Sequence, residues 1–321
     1  MLFLHIFALM MPVIIPVALG FTFIRLGIFR PEHGDALLKF LLYATFPAII
    51  LDHLVGQPLA VLFQPAFTAA TLAFVVIMYG VVLSVYLFAF QRPMAEAAMA
   101  ALTGSFVSAG IVGLPIMLDL IGPTYTIVPV IANTVISLVT AVPVTVLLIQ
   151  VGRRSTSSKL LPTLGRTFVE VLKNPLVLSA IAGLLLSLLA VPIPGWLHET
   201  FEKVGDATFA TALFAVGMGI DPTLLRSDLS QILVLSFFRI VVSSALGIIL
   251  ATSFDLPPGY AVSFVIMASL PTAKSVPPIA QQYGVFVGQS FQVVTLTTLA
   301  MVIAMPIVCY LSGMIWPGIL R

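Results

Sequence analysis

Long apolar segments separated by short polar connections run along nearly the whole chain of 321 residues. A membrane-spanning helix needs about 20 predominantly apolar residues. On that rule the pattern predicts ten spans, at residues 3–24, 35–56, 65–90, 96–120, 124–148, 174–192, 203–224, 229–254, 258–282 and 287–315. Many of the connections carry proline or glycine, which favour turns. The sequence therefore predicts an all-α integral membrane protein.

The composition supports this interpretation. Hydrophobic residues make up 60% of the chain and charged residues only 8%, and the mean hydropathy is +1.18. Soluble domains carry about 25% charged residues, so most of this chain must face lipid or other apolar helices. Residues 1–24 lack the basic segment of a signal peptide, and we interpret them as the first span.

The chain lacks the residues that several other function classes need. Cys309 is the only cysteine, so we expect no internal disulfide and no thiolate metal cluster. The histidines are isolated from one another, which argues against a zinc site or an intramembrane enzyme, and no cofactor is expected. A nucleic-acid partner would need a basic face, and an ATP-driven pump would need a phosphate-binding glycine loop with a lysine.

The longest polar interval divides the ten spans into five and five. Residues 151–173 carry five basic residues and are predicted to form a cytoplasmic loop between a first repeat, 1–150, and a second repeat, 174–321. Two related units with an odd number of spans insert with opposite orientations, which is the inverted-repeat architecture of many secondary transporters. We therefore predict two inverted five-helix repeats.

The fourth and ninth spans, which hold the same place in each half, contain helix-breaking residues. Prolines remove a backbone donor and clash with the carbonyl four residues earlier. Pro115, Pro271, Pro277 and Pro278 are therefore expected to free the carbonyls of Ile111, Met267, Ala273 and Lys274. Because such a pair of broken helices marks the binding site of a transporter, we predict that the substrate binds at the two breaks. The candidate substrate-binding residues are Ser108, Gly110, Gly113, Pro115, Asn133, Pro271, Lys274, Ser275 and Pro277.

The distribution of basic residues predicts the orientation. With the N-terminus outside, the cytoplasmic loops hold nine Lys and Arg residues and the outer face holds two, as the positive-inside rule requires. The two outer residues are Lys203 and Arg321, and the nine inner ones are Arg25, Arg30, Arg92, Arg153, Arg154, Lys159, Arg166, Lys173 and Arg226. Both termini should lie outside the cytoplasm.

Two basic residues, Arg239 and Lys274, lie inside predicted spans and away from their ends. A charge near mid-membrane costs about 2.5–3.5 kcal/mol on insertion scales. For Arg239 we expect a carboxylate or helix carbonyls from another helix as partner. Lys274 lies within the second break and either reaches cytoplasmic water or gives the site a fixed positive charge that attracts an anion, with Asp119 as its candidate counter-charge.

The same residues resemble the auxin efflux carrier family. The resemblance rests on residues 108–115, on Pro271 to Ser275, and on Gln281-Gln282-Tyr283-Gly284. Gly20, Arg25-Leu26-Gly27 and Phe46-Pro47-Ala48 add to it, so the similarity covers essentially the whole chain.

The resemblance implies crossing broken helices 4 and 9 around the substrate. It also implies a scaffold from spans 1, 2, 6 and 7, a mobile transport part from spans 3–5 and 8–10, and an elevator-type motion. Bacterial members of the family are described as carriers of carboxylates such as malonate, and plant members as exporters of indole acetate. Three features depart from the family pattern: serine instead of asparagine at Ser108 and Ser275, a lysine at Lys274, and no proline at Ala210-Thr211.

Three functions follow as hypotheses. The first is secondary active transport of a small organic anion, a carboxylate, across the bacterial inner membrane, with a proton or sodium as candidate coupling ion and a homodimer as candidate assembly. The alternatives are a sodium-coupled carrier resembling the bile acid symporters, and a non-transporting receptor or sensor on the same fold. Lys274 argues against a sodium site in the second break, because sodium needs several oxygen ligands.

Overall fold

The structure, a computed structural model, describes residues 2–55, 64–152, 172–189, 191–220 and 229–320, together with residues 165 and 169. Helices dominate these residues, and no β-strand longer than a single bridge occurs among them. The α-helices, numbered in chain order, are α1 Leu2–Arg25, α2 Pro31–Phe40, α3 Phe46–Leu54, α4 Pro65–Ser84, α5 Met94–Ser105, α6 Leu114–Ile121, α7 Ile127–Val139, α8 Ala141–Gly152, α9 Pro175–Leu188, α10 Gly195–Met218, α11 Leu229–Phe237, α12 Ser243–Ser253, α13 Pro258–Ala268, α14 Val276–Tyr283 and α15 Val287–Ile315.

Short π-helical turns connect or extend several of these helices. They occur at Leu41–Thr45 between α2 and α3, at Val85–Ala89 after α4, at Ala109–Gly113 before α6, and at Phe238–Val242 between α11 and α12. With these turns included, the second, third and eighth predicted spans are each one continuous helix.

Among the residues that the structure describes, five stretches are long and apolar enough to cross a membrane by length and composition, namely Glu32–Leu54, Pro65–Ala89, Pro123–Gly152, Leu229–Ser253 and Val287–Ile315. Shorter apolar helices cover Met11–Arg25, Ala109–Ile121, Pro175–Leu188 and Pro258–Ala268. The chain is therefore an all-helical, multi-pass membrane protein. The helix boundaries follow most of the predicted spans closely. The exception is α10, which runs from Gly195 to Met218 where the predicted span runs from 203 to 224, and residues 221–224 of that span lie outside the described residues.

The early start of α10 has a local cause. Its first three turns contain Glu199, Glu202 and Lys203, and Lys203 Nζ donates to the Glu199 carboxylate at 2.5 Å across one helical turn. Because these exposed residues are charged, the apolar pattern did not include them in the predicted span. They do not prevent a helix, because i,i+4 ion pairs support helices in water.

A close crossing of α1 and α10 is the tightest helix contact. A Cβ at Gly217 would lie 2.0 Å from the Val17 carbonyl oxygen, and a Cβ at Gly20 would lie 2.1 Å from the Phe214 carbonyl oxygen. Small residues allow two backbones in a membrane to approach this closely. Helix α10 also packs against α2 and α3, and α3 packs against α9.

The remaining helices pack on one another in a second group. Helix α5 packs between α4 and α8, while α13 packs against α12 and α15. The main buried apolar core passes through both groups and includes Phe46, Met78, Leu102, Leu114 and Val265. The two interrupted helices thus lie in the interior of the molecule.

Candidate functional site

Both predicted helix breaks are present, and they are hydrogen-bonded to each other. The fourth-span helix stops at Ser105 and resumes at Ala109, and the ninth-span helix stops at Ala268 and resumes at Val276. Between them an antiparallel bridge joins Val107 to Thr272.

Two backbone hydrogen bonds flank this bridge. Ser108 N–H donates to the Pro271 carbonyl at 3.0 Å, and Ala273 N–H donates to the Phe106 carbonyl at 2.9 Å. Inside a membrane, polar backbone outside a helix must find partners within the protein. Each break supplies partners for the other.

The prediction that Pro271 and Pro277 leave two carbonyls without a hydrogen bond is wrong. The Met267 carbonyl accepts a bond from Leu270 N–H, and the Ala273 carbonyl accepts one from Val276 N–H, both at 3.1 Å. In each case the carbonyl accepts a hydrogen bond from the residue three positions later, which is the spacing of 3₁₀ turns at helix ends. For the carbonyls of Ile111 and Lys274 the expectation stays a prediction.

Arg239 lies on the π-helical turn between α11 and α12, and its side chain is fully buried. Its Nε donates to the Leu270 carbonyl at 3.0 Å, its Nη1 to the Gly104 carbonyl at 3.2 Å and its Nη2 to the Ala268 carbonyl at 2.5 Å. The guanidinium carbon is 5.8 Å from the centre of the Phe74 ring. Of the two kinds of partner considered for Arg239, the structure shows helix carbonyls.

Two candidate site residues near the first break have unpaired polar atoms. Ser108 Oγ and Asn133 Oδ1 are buried, and neither has a hydrogen-bond partner among the described residues. Helix α7, which carries Asn133, packs against the turn Ala109–Gly113. Buried polar atoms normally have partners, so these two are available for a bound molecule or water.

The two candidate glycines provide close packing. A Cβ at Gly113 would lie 2.5 Å from Leu270 Cδ1 in the other break, and a Cβ at Gly110 would lie 2.8 Å from Leu176 Cδ1 in α9. Gly113 therefore permits the approach of the two breaks, and Gly110 permits contact between the first break and the sixth span.

A cavity of about 330 Å³, here called the Lys274 cavity, lies beside the second break. Lys274 Nζ donates to the carbonyls of Ala215 and Val216, near the end of α10, at 3.3 and 3.4 Å. Ser275 is exposed at the start of α14. The cavity is lined by Gly34, Asp35, Leu38, Ala215, Met218, Gly219, Lys274, Pro277, Pro278, Phe291, Val294 and Thr295.

A second cavity of about 230 Å³, here called the Asp119 cavity, lies beside the helix that follows the first break. Its polar wall is acidic, and it also contains Thr208, whose buried Oγ1 has no hydrogen-bond partner among the described residues. Its lining residues are Ile49, Asp52, His53, Pro115, Leu118, Asp119, Phe201, Glu202, Gly205, Asp206, Thr208 and Phe209.

The structure does not bring the predicted pair Lys274 and Asp119 together. The two residues line different cavities, which contact α10 at residues 201–209 and at residues 215–219. The carboxylate that shares a cavity with Lys274 is Asp35. The pairing was expected because Asp119 lies four residues beyond Pro115 and Lys274 lies within the second break, but the segments at the two breaks line separate cavities.

A cluster at the edge of the Asp119 cavity was missed by sequence reasoning. His198 Nδ1 is hydrogen-bonded to the Asp52 carboxylate, and His53 Nδ1 is 3.7 Å from Asp52 Oδ2. The bond to Asp52 raises the pKa of His198, which lies before the seventh predicted span. Asp52 and His198 are 146 positions apart in the chain, so no local sequence pattern could reveal their contact.

Known proteins resemble this chain over nearly its whole length. A family model described as "Membrane transport protein" matches residues 5–309. The "Putative malonate transporter" of Rhizobium meliloti (strain 1021) is 25% identical over 310 residues, covering 96% of each chain. The "Uncharacterized transporter YfdV" of Escherichia coli (strain K12) is 22% identical over 312 residues, covering 95% of this chain and 97% of that protein.

Proposed function

Because the chain belongs to the family of membrane transport proteins that includes the auxin efflux carriers, we propose that it is a secondary active transporter of a small organic anion, a carboxylate. The proposal includes ten spans in two inverted repeats. It places the protein in the bacterial inner membrane with both termini outside the cytoplasm.

The observation that carries the proposal is that the two helix breaks pair with each other and that the helix after each break lines a different cavity. Helix α6, after the first break, lines the Asp119 cavity, and α14, after the second break, lines the Lys274 cavity. The second and seventh spans line both cavities, at opposite ends of each span. Each half of the chain thus contributes the helix after its break to one of the two cavities. This arrangement supports an inverted repeat whose two cavities open alternately.

The helix packing supports an elevator-type motion. Helices α1, α3, α9 and α10, from spans 1, 2, 6 and 7, pack on one another and are suited to form the scaffold. Helices α5 and α13, which lead into the breaks, pack mainly on helices of spans 3, 5, 8 and 10. In the proposed cycle this second group slides along the scaffold and carries the site from one side to the other.

Lys274 favours an anion as cargo. Its ammonium is held by two carbonyls of α10 at distances longer than the usual hydrogen bond. A carboxylate carries a full negative charge, which attracts the ammonium more strongly than the partial charge of a carbonyl oxygen does. A carboxylate entering the cavity would therefore compete with the α10 carbonyls and draw Lys274 away from the scaffold.

Uptake into proteoliposomes tests this function. Purified protein is reconstituted, and uptake of labelled malonate, chosen from the name of a relative, is measured beside a panel of mono- and dicarboxylates and equally labelled amines. We expect saturable uptake of at least one carboxylate and none of the amines. Uptake of amines alone, or of no compound by protein shown to be folded, would contradict the proposal.

A further inference from the structure

The carbonyl oxygens at the two breaks create a concentrated negative site inside the membrane part of the protein. Helices α5 and α13 both end there, and the last turn of a helix leaves carbonyls without helical partners. Each helix C-terminus also carries the equivalent of about half a negative charge. Two such ends that meet at one place repel each other and need a cation.

Arg239 supplies that cation in a geometry that fits the carbonyls. Three nitrogens of its guanidinium donate to three different carbonyls, of Gly104 at the end of α5, Ala268 at the end of α13, and Leu270 within the second break. Arg239 has no ion pair among the described residues, and its side chain is fully buried. Ser243, one turn further along the chain, also donates to the Ala268 carbonyl, at 2.8 Å.

We propose that these three carbonyls form a cation site shared by the two breaks, and that Arg239 is a built-in guanidinium that permanently occupies it. In other transporters, unwound carbonyls and half-helix C-terminal ends coordinate a coupling sodium ion or proton. Here the cation is covalently tethered to the eighth span. Arg239 is a positioning residue that holds the fourth, eighth and ninth spans as one body.

The fork geometry makes the site selective for guanidinium. Arginine presents its donors in a rigid plane and is weakly hydrated, whereas the lysine ammonium is a compact, strongly hydrated point charge. An ammonium in this position could not reach three separated carbonyls with the same alignment. Removing the side chain would leave the carbonyls unpaired and a space of guanidinium shape between them.

Chemical rescue tests the site without knowledge of the cargo. We compare the melting temperature of purified wild type, Arg239→Ala and Arg239→Lys, and use Met78→Ala, equally buried but apolar, as the matched control. Arg239→Ala should melt more than about 5 °C lower than wild type, with Arg239→Lys in between.

Guanidinium chloride at a low-millimolar concentration, far below that which denatures proteins, should restore about half of the lost melting temperature in Arg239→Ala. It should restore none in Met78→Ala. Choline chloride at the same concentration should restore none.

Several results would overturn the proposal: Arg239→Ala as stable as wild type, no rescue by guanidinium, or equal rescue of Met78→Ala. If Arg239→Ala does not fold, Arg239→Lys decides, because the fork geometry predicts that Arg239→Lys melts at a lower temperature than wild type, and equal stability would contradict the proposal. A parallel uptake assay rests on the proposed transport function. If wild type transports nothing, that function fails while the melting data still decide the role of Arg239.

Discussion

At the scale of single residues, Lys274 is the group whose charge distinguishes cargo binding from structural support. Its contacts with the Ala215 and Val216 carbonyls are long, so losing them should cost little stability. We expect Lys274→Ala to weaken binding of a carboxylate by about tenfold or more, since a charged hydrogen bond is worth about 1.5–3 kcal/mol, while the melting temperature stays nearly unchanged. Lys274→Arg should rescue binding only in part.

The control for this prediction is Lys39→Ala, which removes the same charge from an exposed position. Ligand-dependent shifts in melting temperature measure binding for all three variants. Unchanged carboxylate binding by Lys274→Ala, or equal loss in Lys39→Ala, would mean that Lys274 does not bind the cargo.

A second residue-scale prediction concerns pH. The bond to Asp52 raises the pKa of His198 above the value of about 6.5 expected in the unfolded chain. A raised pKa in the folded state means that the stabilisation is fully present below pH 6.5 and is lost as the pH rises through the folded value. His198→Gln should therefore lower the melting temperature more at pH 5.5 than at pH 9. An equal effect at both values would show that protonation of His198 contributes nothing.

At the scale of helices, the crossing of α1 and α10 depends on two glycines. A methyl group at Gly217 would meet the Val17 backbone at 2.0 Å, and backbone cannot rotate away as a side chain can. Gly217→Ala should destabilise the protein by about 1–3 kcal/mol, the usual cost of overpacking. Gly80→Ala, in an exposed part of α4 where a Cβ meets nothing within 4 Å, is the matched control and should melt like wild type. A Gly217→Ala protein as stable as this control would contradict the close crossing.

The sequence predicted most of the helices and both breaks, because proline, glycine and apolar run length act locally. Helix α15 has the predicted boundaries, 287–315, without change. The sequence did not predict which residues share a cavity. Lys274 was assigned Asp119 as partner, yet it lies with Asp35, since position around a helix crossing depends on three-dimensional packing rather than on distance from a break.

Ser108 and Gly113 lie at the first break, as helix interruption suggested, and Asn133 lies in α7, which packs against the turn after that break. The role of these residues in substrate binding stays a prediction. The helix carbonyls that bind Arg239 were one of two alternatives that the sequence left open. Carbonyl groups are present at every residue, so sequence carries no signal for the ones that converge on a buried cation. The sequence also carries no signal for the Asp52–His198 contact, because it joins two helices that are far apart in the chain.

At the scale of the whole molecule, the proposed transport cycle requires the helices around the breaks to move past a fixed scaffold. Two close contacts of glycines, one across that boundary and one within the scaffold, suit a cross-linking test. A Cβ at Gly110 would lie 2.8 Å from the Leu176 side chain, which joins the first break to the sixth span. A Cβ at Gly183 would lie 2.9 Å from Leu54 Cβ, which joins the sixth and second spans within the scaffold and brings the two positions within reach of a disulfide.

Carboxylate uptake by proteoliposomes carrying these cross-links is the most direct test of that motion. Cysteine pairs are introduced at Gly110 and Leu176, or at Gly183 and Leu54, in a background where Cys309 is replaced by alanine. Cross-linking Gly110→Cys to Leu176→Cys, by oxidation or with a short bifunctional thiol reagent, should stop uptake, and reducing the disulfide should restore it. Cross-linking Gly183→Cys to Leu54→Cys, which lie outside both cavities, should leave uptake intact. Undiminished uptake by protein fully cross-linked between positions 110 and 176 would contradict the account.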